Sequence, residues 1–322
     1  RMVTDQNHIP ASHGPYEDVV DLSELFRVLW SGKWLIAAIT FLIAGIALVV
    51  VLLLPNIYRA ETLLAPNSQD VAGGLSSLAG QYASLANIAG INLGETPTDN
   101  TGIGLEILQS RRFISEFIDR HGILVPLMAA KGWDWESNEL KIDGDIYDVN
   151  SRKWTRDYDP PQQPTPSKQE AYEEFRKNLK VTQHSDTGLV TVAFEFYSPH
   201  IARQWVEWLV SDVNEEVMQQ DVSEAEQAIS YLTDQIERTP LAELQSVFFF
   251  MIEEKTKIVM LAKISEEYLL KTLDPPVAPE EAARPNRVLW VLFSLVIGIA
   301  IAIITQLLWV YLLRNETVRS TE

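Results

Sequence analysis

The stretch that decides the fold, WLIAAITFLIAGIALVVVLLL, runs from Trp34 to Leu54 and holds 21 residues without a charged side chain. At about 1.5 Å of rise per residue, a helix of this length covers the hydrocarbon core of a bilayer, which is about 30 Å thick. Pro55 follows at once, and proline stops a helix because it lacks an N–H and clashes with the preceding turn. A signal peptide has a shorter apolar segment close behind a basic start. The sequence therefore predicts a membrane-spanning helix at residues 34–54.

A second apolar run extends from Val288 to Leu313, and Gln306 is the only strongly polar residue among its 26 positions. This run is also long enough to span a bilayer with some tilt. Two crossings place residues 1–33 and 314–322 on one side of the membrane. Residues 55–287 then form a large loop on the other side.

Basic residues bear on which side is cytoplasmic. Basic residues in the two terminal segments favour cytoplasmic termini by the positive-inside rule, although other basic residues flank the two apolar runs on the loop side. The first group comprises Arg27, Lys33, Arg314 and Arg319, and the second comprises Arg59, Arg284 and Arg287. We expect cytoplasmic termini and a loop on the other side of the membrane.

Charge and cysteine content narrow the classes of ligand. The loop holds 37 acidic and 21 basic residues, which gives it nearly all of the chain's net charge of −18. Such a negative field disfavours nucleic acid as a partner. The chain has no cysteine, which excludes disulfides and every cysteine-based metal or nucleophile site.

Within the loop, local patterns predict an α+β body. Strands are expected at Ile57–Leu64, Leu179–Thr182 and Leu189–Phe196, the last two as a hairpin around Gly188, with a closing strand in Ile264–Leu273. Helices are expected at Leu105–His121 and at Lys168–Lys177. Residues 66–104 are expected to form loop with short, weak helix. Residues 131–168 are expected to form an irregular surface insertion.

The longest predicted feature begins at Ser198 and Pro199, a good helix cap followed by proline at the first helical position. No glycine or proline follows until Pro240, and a helical stripe then resumes, so long helices are predicted over residues 199–263. Apolar side chains recur along the first helix at alternating spacings of three and four, as in a seam for a partner helix. The seam comprises Val222, Ala225, Ile229, Leu232 and Ile236. We predict an extended helical hairpin that takes part in a homo-oligomer.

No common catalytic or cofactor-binding motif occurs in the chain, and we expect neither a catalytic centre, a cofactor nor a metal. The five histidines are scattered and are best interpreted as surface or packing residues. Asp143, Asp145 and Asp148 are close together, but their segment lacks the later glutamate of an EF-hand. A solvated turn is the better interpretation of this cluster.

Several stretches together resemble the bacterial polysaccharide co-polymerases, the Wzz-type chain-length determinants. They are DLSELFRVLWSGKWLI at Asp21–Ile36, IYRAETLL after the first apolar run, and the strand ending in Ser-Pro that starts the long helix. The family also has a proline-rich stretch at the second span. Here the corresponding residues are Pro275, Pro276, Pro279, Pro285, Arg287 and Gly298.

The resemblance implies a non-catalytic inner-membrane regulator of the modal chain length of a lipid-linked glycan, such as the O-antigen of lipopolysaccharide. It implies a homo-oligomeric ring of about eight protomers and a membrane polysaccharide polymerase as partner. An alternative is a capsule or exopolysaccharide export component that works with a separate kinase or transporter. A two-span sensor is a third interpretation, but it would need an output domain larger than 33 or nine residues can form.

Overall fold

The computed structural model describes residues 29–67 and 100–319, with only the helical backbone for residues 311–319. The start of the co-polymerase-like stretch at Asp21 and most of the predicted loop 66–104 lie outside these residues. The chain divides into two compact units. One comprises the two terminal segments up to Leu54 and from Asn286, and the other comprises Pro55–Pro285.

Among the described residues, two helices of the terminal unit are long and apolar enough to cross a membrane. They are α1 at Lys33–Leu53 and, at the far end of the chain, the part Arg287–Val310 of the helix Arg287–Arg319. Most of their apolar side chains are exposed, including Trp34, Phe41 and Leu53. A core helix of a soluble protein would bury these groups, since exposed apolar surface is unfavourable in water. The two helices contact each other, and their exposed surface fits a lipid environment.

The body begins with β1 at Tyr58–Pro66, and the description resumes at residue 100 with three helices. These are α2 at Asn100–Gln109, α3 at Arg111–His121 and α4 at Leu124–Ala129. The single helix predicted over Leu105–His121 is therefore wrong, because Ser110 accepts a hydrogen bond from the Phe113 N–H and starts a new helix. Gly122 ends α3 in the left-handed conformation that favours glycine, at φ 62°.

The predicted surface insertion contains two short hairpins, β2 at Ala130–Asp134 with β3 at Glu139–Ile142, and β4 at Tyr147–Asp148 with β5 at Lys153–Trp154. Helix α5 at Lys168–Asn178 begins with a capping box between Ser167 and Glu170. β6 at Leu179–Gln183 and β7 at Val190–Phe196 then form the predicted hairpin.

The long helix α6 spans Pro199–Arg238, and its N-cap Ser198 accepts from the Ile201 N–H, as the sequence predicts. Helix α7 follows at Ala242–Ile264, after a break around Pro240. The closing strand β8 covers only Leu270–Asp274, so the prediction of a strand at residues 264–269 is wrong. The chain then reaches α8, the second candidate membrane helix, at Arg287–Arg319.

One antiparallel sheet of order β6-β7-β1-β8 organises the body. The first part of α6 packs across β1 and β7. Trp205 of α6 lies at the centre of the core, with its ring centroid 4.6 Å from that of Phe196 and 5.2 Å from that of Phe194. The predicted fold class, two candidate membrane helices flanking an α+β body with a long helical hairpin, is confirmed.

Candidate functional site

The acidic turns of the insertion have structural partners within the body. Asp143 pairs with Lys131 at 3.2 Å and accepts from the Asp145 N–H, and Asp148 accepts from the Ser151 hydroxyl at 2.6 Å. The Asp145 N–H and Lys131 lower the pKa of Asp143, and Ser151 and the Asn150 N–H lower that of Asp148. Within residues 29–67 and 100–319, no group of three or more histidines and carboxylates could hold a metal ion. These contacts explain the aspartates as supports of solvated turns.

Three residues fasten the two ends of the body to each other, and we call them the terminal clamp: Ile57, Glu195 and Arg284. The Ile57 N–H donates to the Arg284 carbonyl at 2.9 Å, and the Arg284 N–H donates back at 3.2 Å. The Arg284 guanidinium lies 3.3 Å from the Glu195 carboxylate, whose side chain is only 8% exposed. A buried carboxylate needs such a partner. The clamp thus fixes the segment before Pro285 against the start of β1.

The terminal clamp was missed by the sequence reasoning. The available signal was Glu195, the single charge in the mostly apolar VTVAFEF of β7. Its partner could not be identified, because the pairing depends on sheet order rather than on local pattern.

The predicted motif residues are not gathered into one cluster. Pro276 is buried and Pro279 and Pro285 are half-buried, whereas Pro275 is exposed on the segment after β8. Arg287 begins α8. Gly298 lies further along that helix, where a Cβ atom would stand 3.3 Å from the Thr40 Cα of α1. The motif residues therefore lie partly in the segment between β8 and α8 and partly at the contact between α8 and α1.

The helix contact at Gly298 joins α8 to α1. Thr40 is the neighbour that the structure places there, and a Cβ at Gly45 would meet no atom within 4 Å.

The seam residues of α6 face the hairpin partner α7 within the same chain. Ala225 and Leu232 are buried, while Val222, Ile229 and Ile236 are half-buried. Helix α7 contacts α6, and Gln245 closes the hairpin by donating to the Thr239 carbonyl at 2.8 Å. The seam is therefore accounted for in part by packing inside one protomer.

The side of the hairpin that the protomer leaves exposed, its outer face, carries apolar side chains among polar and charged ones. Tyr231 of α6 and Phe249 of α7 are 65% and 59% exposed, and Leu241, Met260 and Ile264 are exposed as well. Exposed apolar surface of this kind, on a helix that is apolar on several faces, is typical of an interaction surface.

The base of the hairpin is fixed by buried polar contacts centred on Asn214 of α6. Its amide nitrogen donates to the Leu270 carbonyl at 3.1 Å, and its oxygen accepts from the N–H groups of Leu269 and Leu270 at 2.7 and 2.9 Å. The Tyr268 hydroxyl donates to Asp221 at 2.8 Å. Burial raises the pKa of both groups, and Asp221 adds to the rise at Tyr268. These bonds hold the chain that returns from α7 against α6.

His121, one of the scattered histidines, has a packing and pairing role. Its ring stacks on Trp208 with centroids 4.2 Å apart, and its Nε2 lies 3.0 Å from the Asp212 carboxylate. Arg120 reaches the same carboxylate at 3.3 Å. This arrangement ties α3 to α6.

The fold and these contacts define a class: an α+β body with a long helical hairpin, which lies between two candidate membrane helices in the chain. Residues 18–121 match the model of the family described as Wzz, chain length determinant protein. The match covers α1, β1, α2 and α3. The resemblance to the Wzz-type polysaccharide co-polymerases that the sequence predicts is confirmed by this match.

Other comparisons add little. No curated protein matches the chain. A solved structure described as a full-length bacterial polysaccharide co-polymerase is 13% identical, covers 92% of this chain and 99% of its own, and has a TM-score of 0.38. A fragment of WzzB, a polysaccharide co-polymerase from Salmonella Typhimurium, is 11% identical, covers 71% of this chain and 100% of its own, and has a TM-score of 0.30. At these scores neither likeness carries an inference for this chain.

Proposed function

We propose that this protein regulates the modal chain length of a lipid-linked surface polysaccharide, O-antigen or a related glycan. It acts as a non-catalytic, homo-oligomeric scaffold together with a membrane polysaccharide polymerase. The match of residues 18–121 to the chain-length determinant family carries the proposal. Its setting is the bacterial inner membrane, with cytoplasmic termini and a periplasmic body at 55–287.

The described contacts agree with a scaffold. The sheet and the first part of α6 bury a continuous core. Asn214 fixes the base of the hairpin, and the terminal clamp joins the two ends of the body. The polar groups in these places are engaged in structural bonds. A protein of this kind would act on the glycan through its assembly and its polymerase rather than through bond chemistry.

Self-association is part of the proposal, and the exposed apolar side chains on the outer face of the hairpin support it. Phe249 and Tyr231 stand on a rod that one protomer leaves largely uncovered, since α6 alone extends about 60 Å. A second copy offers a complementary surface of the same composition, and closed rings of identical chains arise from such heterologous contacts. Cross-linking after mild extraction should give species above the monomer. A wild-type protein that is monomeric at all concentrations would contradict this part.

The function itself is tested by deleting the gene in its host and separating the surface polysaccharide by gel electrophoresis. We expect loss of the modal cluster of lengths and its return when the wild-type gene is restored on a plasmid. An unchanged ladder would refute the proposal. Loss of all surface polymer, rather than a change in its length, would favour the export role instead.

A further inference from the structure

Both connections to the candidate membrane helices leave the body at one end of the sheet, where Tyr58 begins β1. Tyr58 follows Leu54 by four residues, so the two Cα atoms are at most about 14 Å apart. The Ile57–Arg284 pair brings the second connection to the same place, since α8 begins at Arg287. This end of the body is therefore held near the bilayer by the covalent chain.

The β2–β3 hairpin packs onto this same end. The Trp133 ring contacts Tyr58 edge to face, with centroids 5.6 Å apart, and lies 6.0 Å from the His200 ring at the start of α6. Its indole N–H donates to Asn138 at 2.9 Å across the hairpin turn. The hairpin is thus fastened to the edge of the body that is closest along the chain to both candidate spans.

The turn of this hairpin presents Trp135, which is 75% exposed. The Asp134 carboxylate accepts from the N–H groups of Glu136 and Ser137 at 3.0 and 3.3 Å, and it pairs with Lys141 at 3.1 Å. The turn is consequently ordered with its indole projecting outward. Water is a poor environment for so large an aromatic surface, whereas the membrane interface accommodates indole rings through their apolar body and polar N–H.

We propose that the β2–β3 hairpin is an interfacial anchor, with Trp135 inserted into the headgroup region of the bilayer. Residues 130–142 carry three acidic and two basic side chains, so attraction to anionic lipid cannot drive the contact. Binding depends on aromatic burial and holds equally for zwitterionic lipid. The anchor would fix the orientation of the body above the membrane, and it does not depend on the proposed role in glycan length.

The chain contains no cysteine, so a single introduced cysteine can be labelled specifically in the full-length protein. Trp135→Cys carries an environment-sensitive fluorophore, and the protein is placed in phosphatidylcholine nanodiscs with or without nitroxide-bearing phosphatidylcholine. Tyr231→Cys is the control, because Tyr231 is also exposed but lies about 48 Å along α6 from Pro199. We expect a blue shift and lipid-dependent loss of emission at position 135, and no lipid-dependent loss at position 231.

A second measurement keeps the native side chain. Brominated phosphatidylcholine should quench the tryptophan emission of the wild type more than that of Trp135→Phe, and the difference should persist at high salt. Circular dichroism would verify that both labelled variants and Trp135→Phe retain the fold. Quenching at position 135 no greater than at position 231, or equal quenching of wild type and Trp135→Phe, would overturn the proposal.

Discussion

The two halves of helix α6 have the same backbone conformation and very different surroundings. The first half is buried in the body through Trp205, Leu209 and Val213, against β1 and β7. In the second half only Ala225 and Leu232 are buried, and α7 is the main neighbour. A helix of this length cannot be stable along its whole extent by propensity alone, since tertiary packing supplies most helical stability.

The two halves of α6 therefore contribute to different properties of the protein. The first half contributes to the core of the body, while the second half and α7 leave apolar side chains such as Phe249 exposed. Substitutions in the first half should therefore change folding, and substitutions on the outer face of the second half should change assembly.

The largest effect is expected at Trp205. Trp205→Ala removes a fully buried indole from contact with Phe194 and Phe196, and such truncations cost about 3–5 kcal/mol of unfolding free energy. Denaturant titration of the detergent-extracted protein, followed by circular dichroism, measures the loss. Tyr231→Ala, on the exposed second half, is the control and should change the free energy by less than about 0.5 kcal/mol. Equal effects of the two substitutions would remove the distinction between the halves.

A smaller effect is expected at Asn214. Asn214→Leu leaves the buried N–H groups of Leu269 and Leu270 without their acceptor, at a cost of about 1–3 kcal/mol for each group. The resulting loosening should appear as faster hydrogen exchange around residues 265–272 than in β7. Gln220→Leu, at an exposed position of the same helix, should leave these exchange rates unchanged. Unaltered exchange in Asn214→Leu would mean that the sheet alone holds β8.

The second half is tested by two charges placed on opposite faces of the hairpin. Leu232→Asp buries an unpaired carboxylate against α7 and should destabilise the hairpin in every oligomeric state. Phe249→Asp adds a charge to the outer face, which should leave hairpin stability nearly unchanged and reduce the cross-linked oligomer. Proteolysis of the hairpin and cross-linking yield distinguish these outcomes. If Phe249→Asp leaves assembly intact while cross-linked species form, the outer face is not the contact between copies.

Sequence reasoning was accurate where a local signal decides the structure. The Ser198–Pro199 start of α6, the end of α3 at Gly122 and the two apolar runs are read from neighbouring residues. It was wrong at Ser110, where a side-chain cap outweighs the helical period. None of the predicted residues before Leu270 is in β8, because α7 continues to Ile264 and the Leu269 N–H donates to the Asn214 side chain. Contacts between distant residues, such as Arg284 with Glu195, depend on the order of strands in the sheet and could not be predicted from local sequence patterns.

The smallest and most local effect is expected in the candidate membrane helices, where apolar burial no longer favours one helix face over lipid. Small residues there permit close backbone approach, and Gly298 stands where a Cβ would lie 3.3 Å from the Thr40 Cα. Gly298→Leu keeps α8 hydrophobic and should insert normally, but its side chain must displace α1 at this point. Gly45→Leu is the matched control, since a Cβ at Gly45 would meet no atom within 4 Å. Both variants are expressed at the wild-type level, and the length distribution of the surface polysaccharide is compared. We expect a shortened or random distribution for Gly298→Leu alone. If both variants preserve the modal length, the Gly298 contact is structural and has no part in length control, whereas equal disruption by both would indicate a general sensitivity of the spans to bulk.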